Sequence, residues 1–432
     1  MKRLAILVAG SLALAACGDR EVLLEGERLD LDGSAIIDTV VNRAEPLNVP
    51  PATVNASWTH VGGSVRHQVD NPALARGLEL LWTREIGQGS QRKHRITTDP
   101  VVDDGRIVTL DSRALVSAHS TNGELLWSRD LTPASDRSDD ASGGGLAAQG
   151  GMVYVTSAFG SLTALDGATG RVLWSQDLGT APSGAPTVFE GVVYLATRDE
   201  VGWAVDAENG RILWQAFGAL GDHGISGGSS PAIAGPLVIF PFSSGQLVAV
   251  VRGTGAQAWS ASVAGQRLGR SFSRVSELTG DPVVVGNTVI AANHTGRSAA
   301  FDAATGQSIW RADEGAVTSV WVAGGSAFMA TDENRLVRID AATGDVIWAI
   351  DLPFFRHERL KKRKAIYTHY GPVLAGGRLI LASDDEMLRE FDPVTGALIA
   401  ATRLPGDAVS APVIAGQTMY LLTSKGELHA FR

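Results

Sequence analysis

The side chains able to do chemistry are few and scattered. The nine histidines form no His-Glu-x-x-His run and no i,i+4 pair, so the pattern gives no zinc site. One cysteine excludes both a disulfide framework and a thiolate metal cluster. No EF-hand series, Gly-x-Ser-x-Gly elbow or P-loop occurs. Asp384-Asp385-Glu386 reads as a solvated turn between strands rather than a metal cage. The remaining recurrent side chains, Asp and Trp, repeat down the whole chain. A single active site would use a residue once, so the repeated set is structural and neither a catalytic nor a metal site is expected.

The one cysteine has a chemistry of its own. Met1-Lys2-Arg3 is basic, and Leu4 to Ala16 is an apolar run too short to span a bilayer but right for a signal segment. It ends Leu14-Ala15-Ala16-Cys17, small residues just before the sulfur, which resembles a bacterial lipobox. Cleavage before Cys17 and acylation of its thiol and amine follow from that reading, and the acyl chains satisfy the two-anchor condition for stable membrane attachment. The bland alternative is an ordinary secretory signal with an incidental cysteine. Gly18, rather than Asp, follows the cysteine, which by resemblance to the enterobacterial sorting rule points to the outer membrane.

The elements that position everything else are announced by a phrase. Gly-x-x-x-Trp occurs at Gly123/Trp127, Gly170/Trp174, Gly210/Trp214, Gly255/Trp259, Gly306/Trp310 and Gly344/Trp348, and a copy at Gly396 ends in Ala400 instead. Asp166, Asp206, Asp302, Asp340 and Asp392 each stand four residues before the glycine. The Asp suits a side-chain-to-backbone turn bond and the Gly a positive φ. A period of about 44 residues, with four short β-branched or aromatic runs per period, predicts a four-stranded antiparallel sheet that must stack on its neighbours. That is the pattern of a β-propeller. Ile107, Val153, Val193, Val238, Val289, Phe328, Leu379 and Met419 each mark a second strand, which gives eight blades, with seven as the alternative. Six first strands are read as beginning at proline: Pro100, Pro186, Pro231, Pro282, Pro372 and Pro412.

The two ends are complementary. Residues 77–86 read as an outer strand with no blade before it, while Arg432 ends the chain after two inner strands with no outer strand to follow. The N-terminal strand is therefore expected to complete the last blade and close the ring, removing exposed sheet edges. The division expected is a signal segment at 1–16, a lipidated tether and lead-in at 17–75, and an eight-bladed propeller at 76–432.

Charge narrows the partners. The formal net charge is −9, and loss of Lys2 and Arg3 with the signal segment leaves 35 basic against 46 acidic groups. No nucleic-acid partner is expected. One long connection runs against this balance: Arg356, Arg359, Lys361, Lys362, Arg363 and Lys364 surround a lone Glu358. A solvated loop, an anionic lipid contact and an acidic protein contact all fit it.

The phrase from Val153 to Trp174 resembles the PQQ-like repeat, which two families share. Quinoprotein alcohol dehydrogenases add length, a vicinal cysteine pair and a Glu/Asn/Asp set holding calcium and quinone, and these have no counterpart here. The second family is the outer-membrane assembly factor BamB, which the chain resembles from about residue 55 onward, Trp58-x-x-x-Gly62-Gly63 included. This resemblance implies a non-catalytic, cofactor-free scaffold lipoprotein. Such a protein lies on the periplasmic face of the outer membrane and binds the periplasmic domains of a BamA-like barrel protein among other assembly-complex members. It also implies a partner-binding face on two loops. One is His223-Gly224-Ile225-Ser226, before Ser229-Ser230-Pro231, in which the apolar Ile225 matches the family. The other is Arg274-Val275-Ser276-Glu277-Leu278-Thr279, before Pro282-Val283-Val284, in which Arg274 and Ser276 match and Glu277 keeps the charge. A periplasmic PQQ-dependent dehydrogenase remains the alternative function.

Overall fold

The computed structural model describes residues 42–219, 228–263, 265, 277–357, 359 and 362–432. Residues 40–432 form one compact unit. Eight four-stranded antiparallel sheets make an eight-bladed propeller. The first blade is typical: Val101–Asp103, Arg106–Leu110, Leu115–Ser120 and Leu125–Asp130, paired in chain order from the axis outward. The eighth is Val413–Ala415, Thr418–Thr423 and Glu427–Phe431, completed by Leu80–Glu85 from the other end of the chain. Trp82 opposes Ala430 and Arg84 opposes Leu428, so the last blade is closed by the strand that the chain termini predicted.

Burial follows position in the blade. Second and third strands are covered on both faces by neighbouring blades, so Val192–Ala196 and Leu237–Pro241 read as unbroken apolar runs rather than alternating ones. Fourth strands face outward, and Leu125, Leu126, Ile212 and Leu213 are exposed. Five of the six prolines stand one residue before the first strand rather than opening it; Pro372 lies inside His369–Ala375. The residue without an N–H donor thus sits just outside the ladder.

The Asp-x-x-x-Gly-x-x-x-Trp phrase joins one blade to the next. Oδ1 of Asp340 accepts the N–H groups of Ala342 and Thr343 at 2.8 and 3.0 Å, and the other four repeat aspartates do the same. Gly344, at φ 82°, lies flat on the indole of Trp310 from the preceding blade; a Cβ there would stand 2.8 Å from the ring. The Trp310 Nε1–H donates to the Ala341 carbonyl at 2.8 Å. The same glycine-on-indole contact recurs at Gly123/Trp82, Gly170/Trp127, Gly210/Trp174, Gly255/Trp214, Gly306/Trp259 and Gly396/Trp348. Ala400 is then explained. In the next blade, the eighth, the register of the outer strand puts Leu78 where its neighbours have the glycine, so no glycine waits there for an indole.

The lead-in, which has no repeat, proves to be part of the ring. Between residues 55 and 72 it makes one circuit of the axis, touching the inner strands in blade order. The Asn55 carbonyl accepts from Gly416 N–H in the eighth blade, and Trp58 exchanges both backbone bonds with Val102 in the first. Thr59 O accepts from Ala148 N–H, and His60 Nε2 from Val188 N–H at 3.0 Å. Val65 O, Arg66 O and Pro72 O accept from Ile233, Val284 and Gly376, while the Gln68 amide donates to Val322 O. Two buried arginines hold its ends. Arg338 donates to the carbonyls of Glu45 and Pro46, and Arg378, paired with Glu390, donates to those of Leu74 and Ala75.

Candidate partner-binding rim and central cavity

Connections from each outer strand to the next inner strand leave a propeller on one rim. The described ends of the two loops that carry the predicted partner residues are on that rim. Ile225, Arg274 and Ser276 lie outside the described residues, as does Cys17. The loop bases are described, and they are bonded to each other. Ser229 Oγ–H bridges the carbonyls of Leu278 and Gly280 at 2.9 and 2.8 Å, and Ser230 N–H donates to Asp281 Oδ1 at 2.6 Å. Glu277 is packed inside this junction, 4% exposed, with its carboxylate against Gly228. It is therefore not presented to solvent. The described ends of the two loops, about fifty residues apart in sequence, are thus joined to one another.

The basic connection also leaves this rim. Phe355 and Ile366 pair across it, and Arg356 N–H donates to Ala365 O at 3.0 Å, which makes its described part a small hairpin. Arg356 pairs with Asp384 and stacks on Tyr367, and Arg363 lies over Phe355. The expected solvated turn at 384–386 is instead an ion-pair site: Asp385 takes a fork from Arg389, and Glu386 pairs with Arg403. Arg389 and Arg403, four and seventeen residues after their partners and on the two following strands, were the signal.

Between this rim and the lead-in lies a cavity of about 200 Å³ on the propeller axis. Its walls are the residues just before or at the start of inner strands, among them Asp99, Asp281, Ser319 and Tyr370; its floor includes Trp58 and His67 of the lead-in. Trp58 stacks on Trp321 with centroids 6.2 Å apart. Asp99 Oδ1 accepts Ala411 N–H at 2.8 Å. Burial pushes the Asp99 carboxyl up to about 7, against that hydrogen bond, with the charge of Asp281 adding to the rise. Asp281 Oδ2 accepts the Ser319 hydroxyl at 2.6 Å. His67 Nδ1–H donates to the Pro282 carbonyl at 2.9 Å, and burial holds the ring well below its usual range, so Nε2 carries a lone pair. Sequence reasoning missed this site, because its residues come from the lead-in and five different blades.

Residues 112–350 and 358–432 match the family described as Outer membrane protein assembly factor BamB. The chain belongs to the BamB family. The assembly factor BamB of Moranella endobia is 24% identical over 362 residues, covering 82% of this chain and 89% of the relative. Among solved structures, BamB from Moraxella catarrhalis superposes with a TM-score of 0.68 at 17% identity, over 82% of this chain and 99% of that one. The quinohemoprotein alcohol dehydrogenase of Comamonas testosteroni also superposes, with a TM-score of 0.68 at 15% identity, over 88% of this chain and 81% of that one. These two likenesses show the propeller fold. Among the described residues no group of three or more His, Cys, Asp or Glu could hold a metal ion.

Proposed function

We propose that this BamB-family chain is a lipid-anchored, non-catalytic scaffold for assembling outer-membrane β-barrel proteins, tethered through Cys17 on the periplasmic face. Its rim docks the periplasmic domains of a BamA-like partner, with Ile225 as the apolar anchor and Arg274 and Ser276 as polar contacts. An apolar anchor beside an arginine is a frequent interface composition. Glu277, being buried, acts here by holding the two loop bases together rather than by touching the partner. The observation that carries this reading is the shared base of the two loops, Ser229 and Ser230 on Leu278, Gly280 and Asp281. It lets residues far apart in sequence act as one patch.

The test is a titration of the full chain with the partner's purified periplasmic domains. Arg274→Glu is expected to weaken binding at least tenfold, roughly 1.4 kcal/mol, with an unchanged melting temperature. Charge reversal at Arg359, Lys362 and Lys364 is the control. Normal binding by Arg274→Glu together with loss in the control would move the face to the basic hairpin. Cys17→Ser is expected to release the protein from the membrane fraction; an unchanged mass and fractionation would refute acylation. Dye-linked alcohol oxidation on adding quinone would favour the dehydrogenase alternative instead.

A further inference from the structure

We propose that the axial cavity is a binding site for a small organic cation, a solute bearing a primary ammonium group, held by Asp99, Asp281 and His67 within aromatic walls. This goes beyond the scaffold role and does not depend on it.

The cavity is rich in acceptors and poor in positive charge. Neither Asp99 nor Asp281 has an ion-pair partner among the described residues. Each oxygen of Asp281 accepts a single hydrogen bond, and Asp99 accepts one in all, so lone pairs remain on both carboxylates. The third acceptor is His67. It is 1% exposed, its Nδ1 is committed to Pro282, and its Nε2 has no hydrogen-bond partner. A buried acceptor left in this state costs free energy that a donor would recover. An ammonium group brings three donors and one positive charge. It therefore matches two uncompensated carboxylates and one orphaned imidazole nitrogen, which a neutral alcohol or an anion does not.

The walls fit the same ligand. Trp58, Trp321 and Tyr370 line the cavity, and cations are attracted to aromatic faces, most strongly where water is excluded. The volume, about 200 Å³, exceeds the roughly 150 Å³ that holds benzene. An amino acid or a short diamine is the size class.

The groups that face Asp99 set the linkage. Asp281 is the charge that acts on it, Tyr370 keeps its proton with a hydroxyl pushed up to about 12, chiefly by burial, and His67 is neutral; Asp384, Arg95 and Arg356 act on Tyr370. Asp99 is thus partly protonated near neutrality, and a bound ammonium would make it ionise. Binding is expected to release a proton and to strengthen as pH rises through about 7.

The experiment is calorimetric titration of the full chain with cadaverine, in two buffers of different ionisation enthalpy, with 1,5-pentanediol as the uncharged isostere. Cadaverine is expected to bind at least tenfold more tightly than the diol and to release a fraction of a proton at pH 6.5. Asp99→Asn, which can still accept from Ala411, is expected to weaken binding at least tenfold and to abolish the proton release. Should that variant not fold, the buffer dependence of the native protein still decides. No binding up to about 10 mM, equal binding of the diol, or cadaverine binding without proton release would each overturn the proposal.

Discussion

A single pair of residues explains why the repeat phrase has its form. The glycine must accept a positive φ and must also carry no Cβ, because the indole of the preceding blade covers it; the tryptophan supplies both that cover and an Nε1–H for a carbonyl of the next turn. The two constraints fall on different blades, so the phrase is a contact between repeats written as if it were local. Trp310→Ala is expected to cost about 3–5 kcal/mol, the usual range for truncating a buried aromatic. Gly344→Val, which adds bulk against the same ring at φ 82°, should destabilise from the opposite side of the contact. Urea denaturation of both variants and of the double variant checks this. The double variant should lose clearly less than the sum, because each change breaks the same contact; strict additivity would mean that the two residues do not act together. The phrase was readable because it recurs. Arg338 and Arg378 were not, since a lone arginine in a strand looks like a surface residue until the carbonyls it holds are known.

At the scale of elements, the blades were legible and the lead-in was not. Strands announce themselves by β-branched runs and turn residues, whereas residues 42–79 make almost no regular structure; their order comes from backbone groups used by eight different partners. Such bonds leave no periodicity in the sequence. Only Trp58 and the following glycines hinted at a docked segment. One side chain in this element predicts a pH response. His60 takes the Val188 N–H on Nε2, which requires and favours the neutral ring, and burial lowers its pKa from 6.5 to about 3. The unfolded chain therefore binds a proton between pH 6.5 and 3 that the folded one refuses. Its stabilisation is complete above pH 6.5 and is lost as pH falls through that window, at up to about 1.4 kcal/mol per pH unit for one proton. Asp99 opposes this, since its raised carboxyl takes up a proton in the folded state between about pH 7 and 4. His429, lowered by burial to about 4, acts in the same direction as His60. Net stability should fall from pH 6 to 4.5, and His60→Gln should flatten that slope relative to the native chain. Parallel slopes in urea melts at the two pH values would mean that His60 is not the group responsible.

At the scale of the whole molecule, the ring is closed twice, and the two closures differ in kind. The strand Leu80–Glu85 completes the eighth blade, covering the edge that Glu427–Phe431 would otherwise expose. The lead-in then ties all eight inner strands at the axis. Without the first closure an edge is open and the ring can part between the seventh, eighth and first blades. Without the second, the inner strands keep their neighbours but lose a common anchor. The first closure joins residues more than three hundred positions apart and the second joins residues from 44 to 361 apart, so their loss removes long-range constraints rather than local ones. Removing residues 18–39, ahead of every bond described, is expected to leave the melting temperature unchanged. Removing residues 18–76 should lower it, and should also release the cavity floor made by Trp58 and His67. Truncation through Glu85 should lower it most, and should promote self-association through the freed edge, since an unpaired strand recruits another chain. Differential scanning calorimetry with light scattering on the three truncations separates these outcomes. Equal melting temperatures for the truncations at 39 and at 85 would mean that the ring does not depend on its N-terminal strand, and that the complementary ends of the sequence are an accident of where the repeats were cut.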